Sequence, residues 1–293
     1  MTTPAGNAVL AAQATKTVLK QRVITGLLLL FVLGGSALLL PAAPFIIMAA
    51  GIFLLASWEW ANLCGFTSLP TKFAYVTTFA FVLGLLGLYC GVFSAWDVAR
   101  TRQMLGAACV WWAIALLWVQ SYPASVQLWG SQFMRAIMGV LVLAPAWLGV
   151  AYLREIGYGI WLIIYMVAVV AAADIGAYFA GRAFGKRKLA PQVSPGKSWA
   201  GFFGGLVSAL LLAALVGSFQ PWAAMSVQTL AAISVLAALA SVLGDLLESM
   251  LKRHRGVKDS GTALPGHGGV LDRLDSLTAA APIFALCAIL TDW

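Results

Sequence analysis

Charge is what this sequence is short of. Only 10% of its 293 residues are Asp, Glu, Lys or Arg, while 62% are hydrophobic and the mean hydropathy is +0.93. Globular domains carry about a quarter charged and about half apolar residues, so an ordinary soluble domain is excluded. Cysteine is scarce too: Cys64, Cys90, Cys109 and Cys287 are scattered, with no C-x-x-C pair. Neither a zinc site nor a disulfide framework is expected from them. There is no internal repeat of the kind that marks many transporters. A cleaved signal peptide is not expected either, because the first apolar run is span-length and follows about 22 fairly polar residues.

What the chain does have is apolar runs of about 18 to 24 residues, each able to cross a hydrocarbon core of about 30 Å as a helix. Nine spans are predicted, at roughly 23–40, 43–64, 73–95, 104–121, 135–153, 158–181, 200–219, 227–250 and 274–291. The expected fold is an all-α polytopic membrane protein. With the N-terminus in the cytoplasm, 15 of the 18 basic residues lie inside and only Arg100, Arg102 and Arg154 outside. The positive-inside rule thus predicts a cytoplasmic N-terminus and, with nine spans, an outside C-terminus. A formal charge of +8 spread in this way points to topology rather than to nucleic acid. Residues 1–157, with five spans and short connections, read as scaffold. Residues 158–293, with four spans and two long basic connections at 182–199 and 251–273, read as the catalytic part. Trp58, Trp60, Trp96, Trp111, Trp112, Trp118, Trp129 and Trp147 fall mostly near predicted span ends and read as interfacial anchors.

Ten of the 28 charged residues crowd into "LGDLLESMLKRHRGVKDSGTALPGHGGVLDRLDS", residues 243–276. Asp245, Glu248, Ser249 and Lys252 are spaced i, i+3, i+4, i+7, on one face of a helix and at the cytoplasmic end of the eighth span. Carboxylates at membrane depth are expensive and normally face a bundle interior or a wet cavity. The plain alternative is an intrahelical cluster of Asp245 and Glu248 around Lys252. Then come Arg253, Arg255, Lys258 and Asp259, and a loop in which Gly266, Gly268 and Gly269 surround His267 and allow close backbone approach to a ligand. Asp272 and Asp275 open the next helix, where complementing the helix dipole is the plain alternative. Two carboxylate pairs, Asp245/Glu248 and Asp272/Asp275, flanking a basic glycine-rich loop suit Mg²⁺ and phosphate together. A nucleotide-handling site explains every element; a solvated loop explains only the charge. His267 is expected to shape the loop rather than act as a base, since phosphoryl-type transfer depends on positioning and charge neutralisation.

The other long connection repeats the theme. Asp174 is an acid inside the sixth span, a functional candidate unless a hydroxyl such as that of Tyr178 satisfies it. Arg182, Lys186, Arg187, Lys188 and Lys197 make a basic patch at the membrane surface. "SPGKS" is not a P-loop, because Pro191 stands where the first glycine is required. Gly201 and Gly205 are expected to allow close helix packing, and Glu59 in "WEW" to make a structural hydrogen bond.

The 243–276 stretch resembles the signature of the CDP-diacylglycerol synthases, or phosphatidate cytidylyltransferases. Their Ser-x-x-Lys-Arg, Lys-Asp, Pro-Gly-His-Gly-Gly and Asp-Arg-x-Asp elements are met by Ser249, Lys252, Arg253, Lys258, Asp259, Pro265, Gly266, His267, Gly268, Gly269, Asp272, Arg273 and Asp275. The likeness covers roughly residues 165 to 285. It implies transfer of cytidylate from CTP to phosphatidic acid, with Mg²⁺, at the cytoplasmic face of a bacterial-type inner membrane. It further implies that Asp245 and Asp272 hold a metal pair, whose second member is Mg²⁺ or a monovalent cation, and that Ser249 and Lys252 contact substrate phosphates. The wider expected site adds Glu248 and Asp275 as metal ligands. As substrate contacts it adds Lys197, Ser198, Arg253, Lys258, Asp259, His267, Gly268, Gly269, Arg273 and, for the cytosine ring, Asp174. Many members carry Lys and Glu where this chain has Gly196 and Ala200, which leaves Lys197 as the loop's phosphate contact. The resemblance also suggests a homodimer. A transporter would place charge near the midplane of several spans, a lipid-binding scaffold leaves the acidic pairs unexplained, and the Asp-Gly-x-x-Ala-Arg core of CDP-alcohol phosphotransferases is absent.

Overall fold

The computed structural model describes residues 35–219, 225–264, 268–291 and 293. Within them, eight helices are long and apolar enough to cross a membrane. They are α1 (Ala42–Cys64), α2 (Leu69–Cys90), α3 (Val98–Gln120), α4 (Gln132–Glu155), α5 (Gly159–Phe184), α6 (Trp199–Phe219), α7 (Val227–His254) and α8 (Leu271–Leu290). Each answers to one predicted span; the remaining one, 23–40, lies outside the described residues except for its last few. The chain is a helical, polytopic membrane protein.

Local chemistry sets the helix starts. Ser68, Asp97, Ser131 and Ser226 each cap a helix, their side-chain oxygens accepting from the amides of Thr71, Arg100, Met134 and Thr229 at 3.0–3.3 Å. Packing then depends on small residues. A Cβ on Gly201 or Gly205 of α6 would sit 2.8 Å from the carbonyl oxygen of Ala177 or Ala173 of α5, so the expected close packing is realised there. Likewise, Gly244 of α7 lets the backbone of α8 at Asp275 press against it, which brings the acids of the two helices side by side.

Two features depart from the sequence reading. The connection between α5 and α6 holds an antiparallel hairpin, β1 (Lys188–Ala190) with β2 (Ser194–Ser198). "SPGKS" is thus a strand of this hairpin rather than a phosphate-cradling loop. The tryptophans are the second departure. Trp60, Trp111, Trp112, Trp129 and Trp147 are buried within the protein rather than exposed on its outer surface. Trp60 and Trp147 donate to the backbone oxygens of Arg135 and Ile46, at 2.8 and 3.2 Å.

Four connections gather at one end of the bundle. Gln132 donates to the carbonyl of Gly65 at 3.1 Å, and the rings of Trp129 and His254 meet edge-on at 5.0 Å. Arg253 reaches the carbonyl of Val193 in the hairpin at 3.2 Å. This end carries most of the predicted site.

Candidate active site

Two lysine–carboxylate units form the centre. In the first, Lys252 Nζ of α7 lies 2.8 Å from Asp272 Oδ1 of α8 and 3.0 Å from Glu248 Oε1, one turn back on its own helix. Glu248 is 2% exposed, and neither of its oxygens has an aligned hydrogen bond among the described residues. Asp272 is further held by backbone: the amide of Ser260 bonds both its oxygens at 3.0 and 3.2 Å, and that of Gly269 bonds Oδ2 at 2.7 Å. In the second unit, Lys197 Nζ of the hairpin lies 2.7 Å from Asp245 Oδ2. Ser249 donates to Asp245 Oδ1 at 3.1 Å. Asp245 therefore pairs across to the hairpin rather than along its helix to Lys252. Asp275 sits between the units, close enough to feel the charges of Asp245, Glu248, Lys252 and Lys197, and accepts from the amide of Ser276 at 2.7 Å.

The remaining candidates spread around this centre. Ser198 is buried, and its hydroxyl accepts from Gly201 N at 3.1 Å, capping α6. Arg253, Lys258, Asp259 and Arg273 are exposed. Gly268 has φ +82, a left-handed conformation that suits glycine, and its carbonyl receives the amide of Leu264 at 2.9 Å. His267 lies outside the described residues. Asp174, Arg182, Lys197 and Ser198 line a cavity of about 370 Å³ between α5, α6 and α7. Tyr178 does not satisfy Asp174: its hydroxyl accepts from Arg182 at 3.3 Å instead. A second cavity of about 840 Å³, largely apolar, lies between α3, α6 and α7 against the hairpin, and shares Leu189, Phe202 and Val242 with the first.

Cationic and carboxylate groups set at one cavity, with a larger cavity alongside and both lined mostly by apolar groups, suit a substrate that is part polyphosphate and part lipid. Comparison with known proteins narrows this. The profile of a cytidylyltransferase family matches residues 20–290. The chain belongs to that family. It is 44% identical to the phosphatidate cytidylyltransferase of Pseudomonas aeruginosa over 279 residues, 94% of this chain and 98% of the relative. It is 41% identical to that of Haemophilus influenzae, over 91% of this chain and 97% of the relative. With the Bacillus subtilis protein of the same name it shares 34% over 90% and 95%.

For a cytidylyltransferase, the site holds one residue whose place in it sequence reasoning missed. Glu59 of α1, 4% exposed, accepts from Ser260 Oγ at 3.1 Å, Val270 N at 3.0 Å and Leu271 N at 2.8 Å. The expected structural hydrogen bond exists, but it runs to the loop that holds Asp272. A lone acid within an apolar run was the only signal.

Proposed function

We propose that the chain is a phosphatidate cytidylyltransferase, joining cytidylate from CTP to phosphatidic acid at the cytoplasmic face of the membrane. The reading is carried by the α7/α8 end, where lysines and carboxylates converge inside a chain matched over nine-tenths of its length to enzymes of that name. A phosphate oxygen of phosphatidate attacks the α-phosphorus of CTP; the new P–O bond forms as the bond to the β-phosphate breaks, and pyrophosphate leaves. The nucleophile is already anionic at neutral pH, so no side chain has to remove a proton from it.

Lys197 is the group best placed to meet the triphosphate, since it borders the cavity between α5, α6 and α7 and its carboxylate partner is only half-buried. Arg253 and Lys258, exposed on the same end, add positive charge. Lys252, held between two acids, keeps the α7 and α8 carboxylates in place. The apolar cavity beside the hairpin has the chemistry for acyl chains. The two long basic connections on the inner side and the N-terminus with them, the scaffold role of residues 1–157, and assembly as a homodimer belong to the same reading.

The donor chemistry fits Mg²⁺. Asp245, Glu248, Asp272 and Asp275 are hard oxygen ligands in one electrostatic neighbourhood, and the buried Glu248 has oxygens without an aligned donor. Among the described residues no three such groups already converge on one point, so substrate phosphate oxygens would complete any coordination shell. Bound there, a pair of Mg²⁺ ions, or Mg²⁺ with a monovalent cation, would supply charge stabilisation for the transfer.

Membranes from overexpressing cells, given labelled CTP and phosphatidate, test this directly. A chloroform-soluble cytidine lipid is expected, absent after chelation and restored by Mg²⁺. Label that stays wholly water-soluble would overturn the assignment; lipid formed equally well in chelator would overturn the metal.

A further inference from the structure

The start of α8 presents three consecutive amides, those of Gly269, Val270 and Leu271, which have no backbone carbonyl partner within their own helix. Gly269 N turns to Asp272, and the next two turn to Glu59, which comes from α1 some 200 positions earlier. Ser260 ties the two acids together: its amide bonds Asp272 and its hydroxyl bonds Glu59. All three donors to Glu59 are neutral, so a buried carboxylate is held by the amide end of a helix and one hydroxyl. The loop's glycines make room for it. A Cβ on Gly261 would lie 2.5 Å from Glu59 Oε1, and one on Gly269 would fall on Glu59 Oε2 and Ser260 Oγ. The final glycine of "PGHGG" is thus required by a side chain of α1.

We infer that Glu59 is a positioning residue for the transfer: it anchors Ser260 and the first turn of α8, and through Ser260 and Gly269 fixes the carboxylate of Asp272. The residue touches no reacting atom. Its anchoring rests on geometry alone, whereas its effect on turnover rests on the proposed reaction. Both of its oxygens accept, so an amide in its place must turn a donor toward one of the three donors it faces.

The test uses Glu59→Gln in the full-length protein, purified in detergent micelles. Turnover is expected to fall about 10- to 100-fold, as for partners that orient a ligating carboxylate. The loss should lie in kcat, with KM for CTP and for phosphatidate within about threefold of wild type. Hydrogen exchange at Val270 and Leu271 should quicken about tenfold, while amides in α2 and α6 keep their wild-type rates. Wild-type turnover, or unchanged exchange at those two amides, overturns the inference. Should Glu59→Gln fail to fold, Ser260→Ala removes one of the three hydrogen bonds and leaves the backbone contacts to Asp272. It is expected to lose about three- to tenfold in kcat with faster loop exchange, and wild-type behaviour from it overturns the inference equally. If wild type itself makes no cytidine lipid, the reaction is wrong, and the exchange measurement still decides the anchoring.

Discussion

Lys252 and Lys197 each meet an acid of α7, yet one does so in a dry setting and the other beside a cavity. The side chains of Lys252, Glu248 and Asp272 are 12%, 3% and 7% exposed, while those of Lys197 and Asp245 are 26% and 28%. In the drier unit little solvent reaches a group that loses its partner, so each charge depends on the others. In the wetter unit solvent screens the pair, and its net worth is small. The same chemistry therefore does two jobs. One unit ties α7, α8 and the loop together, and the other holds a cation that, on the proposed reaction, leaves its acid for an incoming phosphate.

Lys252→Met strikes the dry unit and has the largest expected effect. It leaves Glu248 and Asp272 buried without a counter-charge, at a cost of about 3–5 kcal/mol. Thermal melting in detergent should show a large drop or loss of folded protein. A variant that melts like wild type would erase the distinction between the units. Asp245→Asn, in the wetter unit, should do the reverse. Its melting temperature should stay near wild type, because a half-exposed pair contributes about 0–1 kcal/mol. Its turnover should drop by more than the roughly 100-fold typical of losing an outer partner of a metal ligand. Near-normal turnover at saturating Mg²⁺ would remove Asp245 from the chemistry. Lys197→Met should be milder. Losing a charge-assisted contact worth about 1.5–3 kcal/mol raises KM for CTP by about 10- to 100-fold, with stability little changed. A rise in KM for phosphatidate alone would move Lys197 to the other substrate.

The helices were legible because length and hydropathy alone define a span, and the carboxylate face of α7 because its spacing is helical. Partner choice was not. Spacing along α7 offers Lys252 to Asp245, but the hairpin returns Lys197 to within 2.7 Å and takes that place. Only the fold of residues 185–198 decides this, and short strands in a long connection leave little periodic signal. Hydropathy also cannot separate a tryptophan facing lipid from one facing another helix, which is why Trp60 and Trp147 read as anchors and proved to be core. Glu59 shows the same limit from the other side. A single acid has no spacing to interpret, and its partners lie about 200 residues away.

Ser249→Ala is the smallest change and separates two roles for one hydroxyl. In the structure Ser249 donates to Asp245 Oδ1 at 3.1 Å, which steadies the carboxylate that also holds Lys197. Family resemblance instead points the hydroxyl at substrate phosphate. If it serves Asp245, its removal costs one hydrogen bond, about 0.5–1.5 kcal/mol. Turnover then falls about three- to tenfold, and in an Asp245→Asn background the serine has almost nothing further to lose, because both changes break the same contact. If it serves the phosphate, KM for CTP rises instead, and the loss persists whatever stands at 245. Steady-state kinetics of the two single variants and the double variant therefore tell whether the wetter unit ends at Asp245 or extends through Ser249 to the nucleotide.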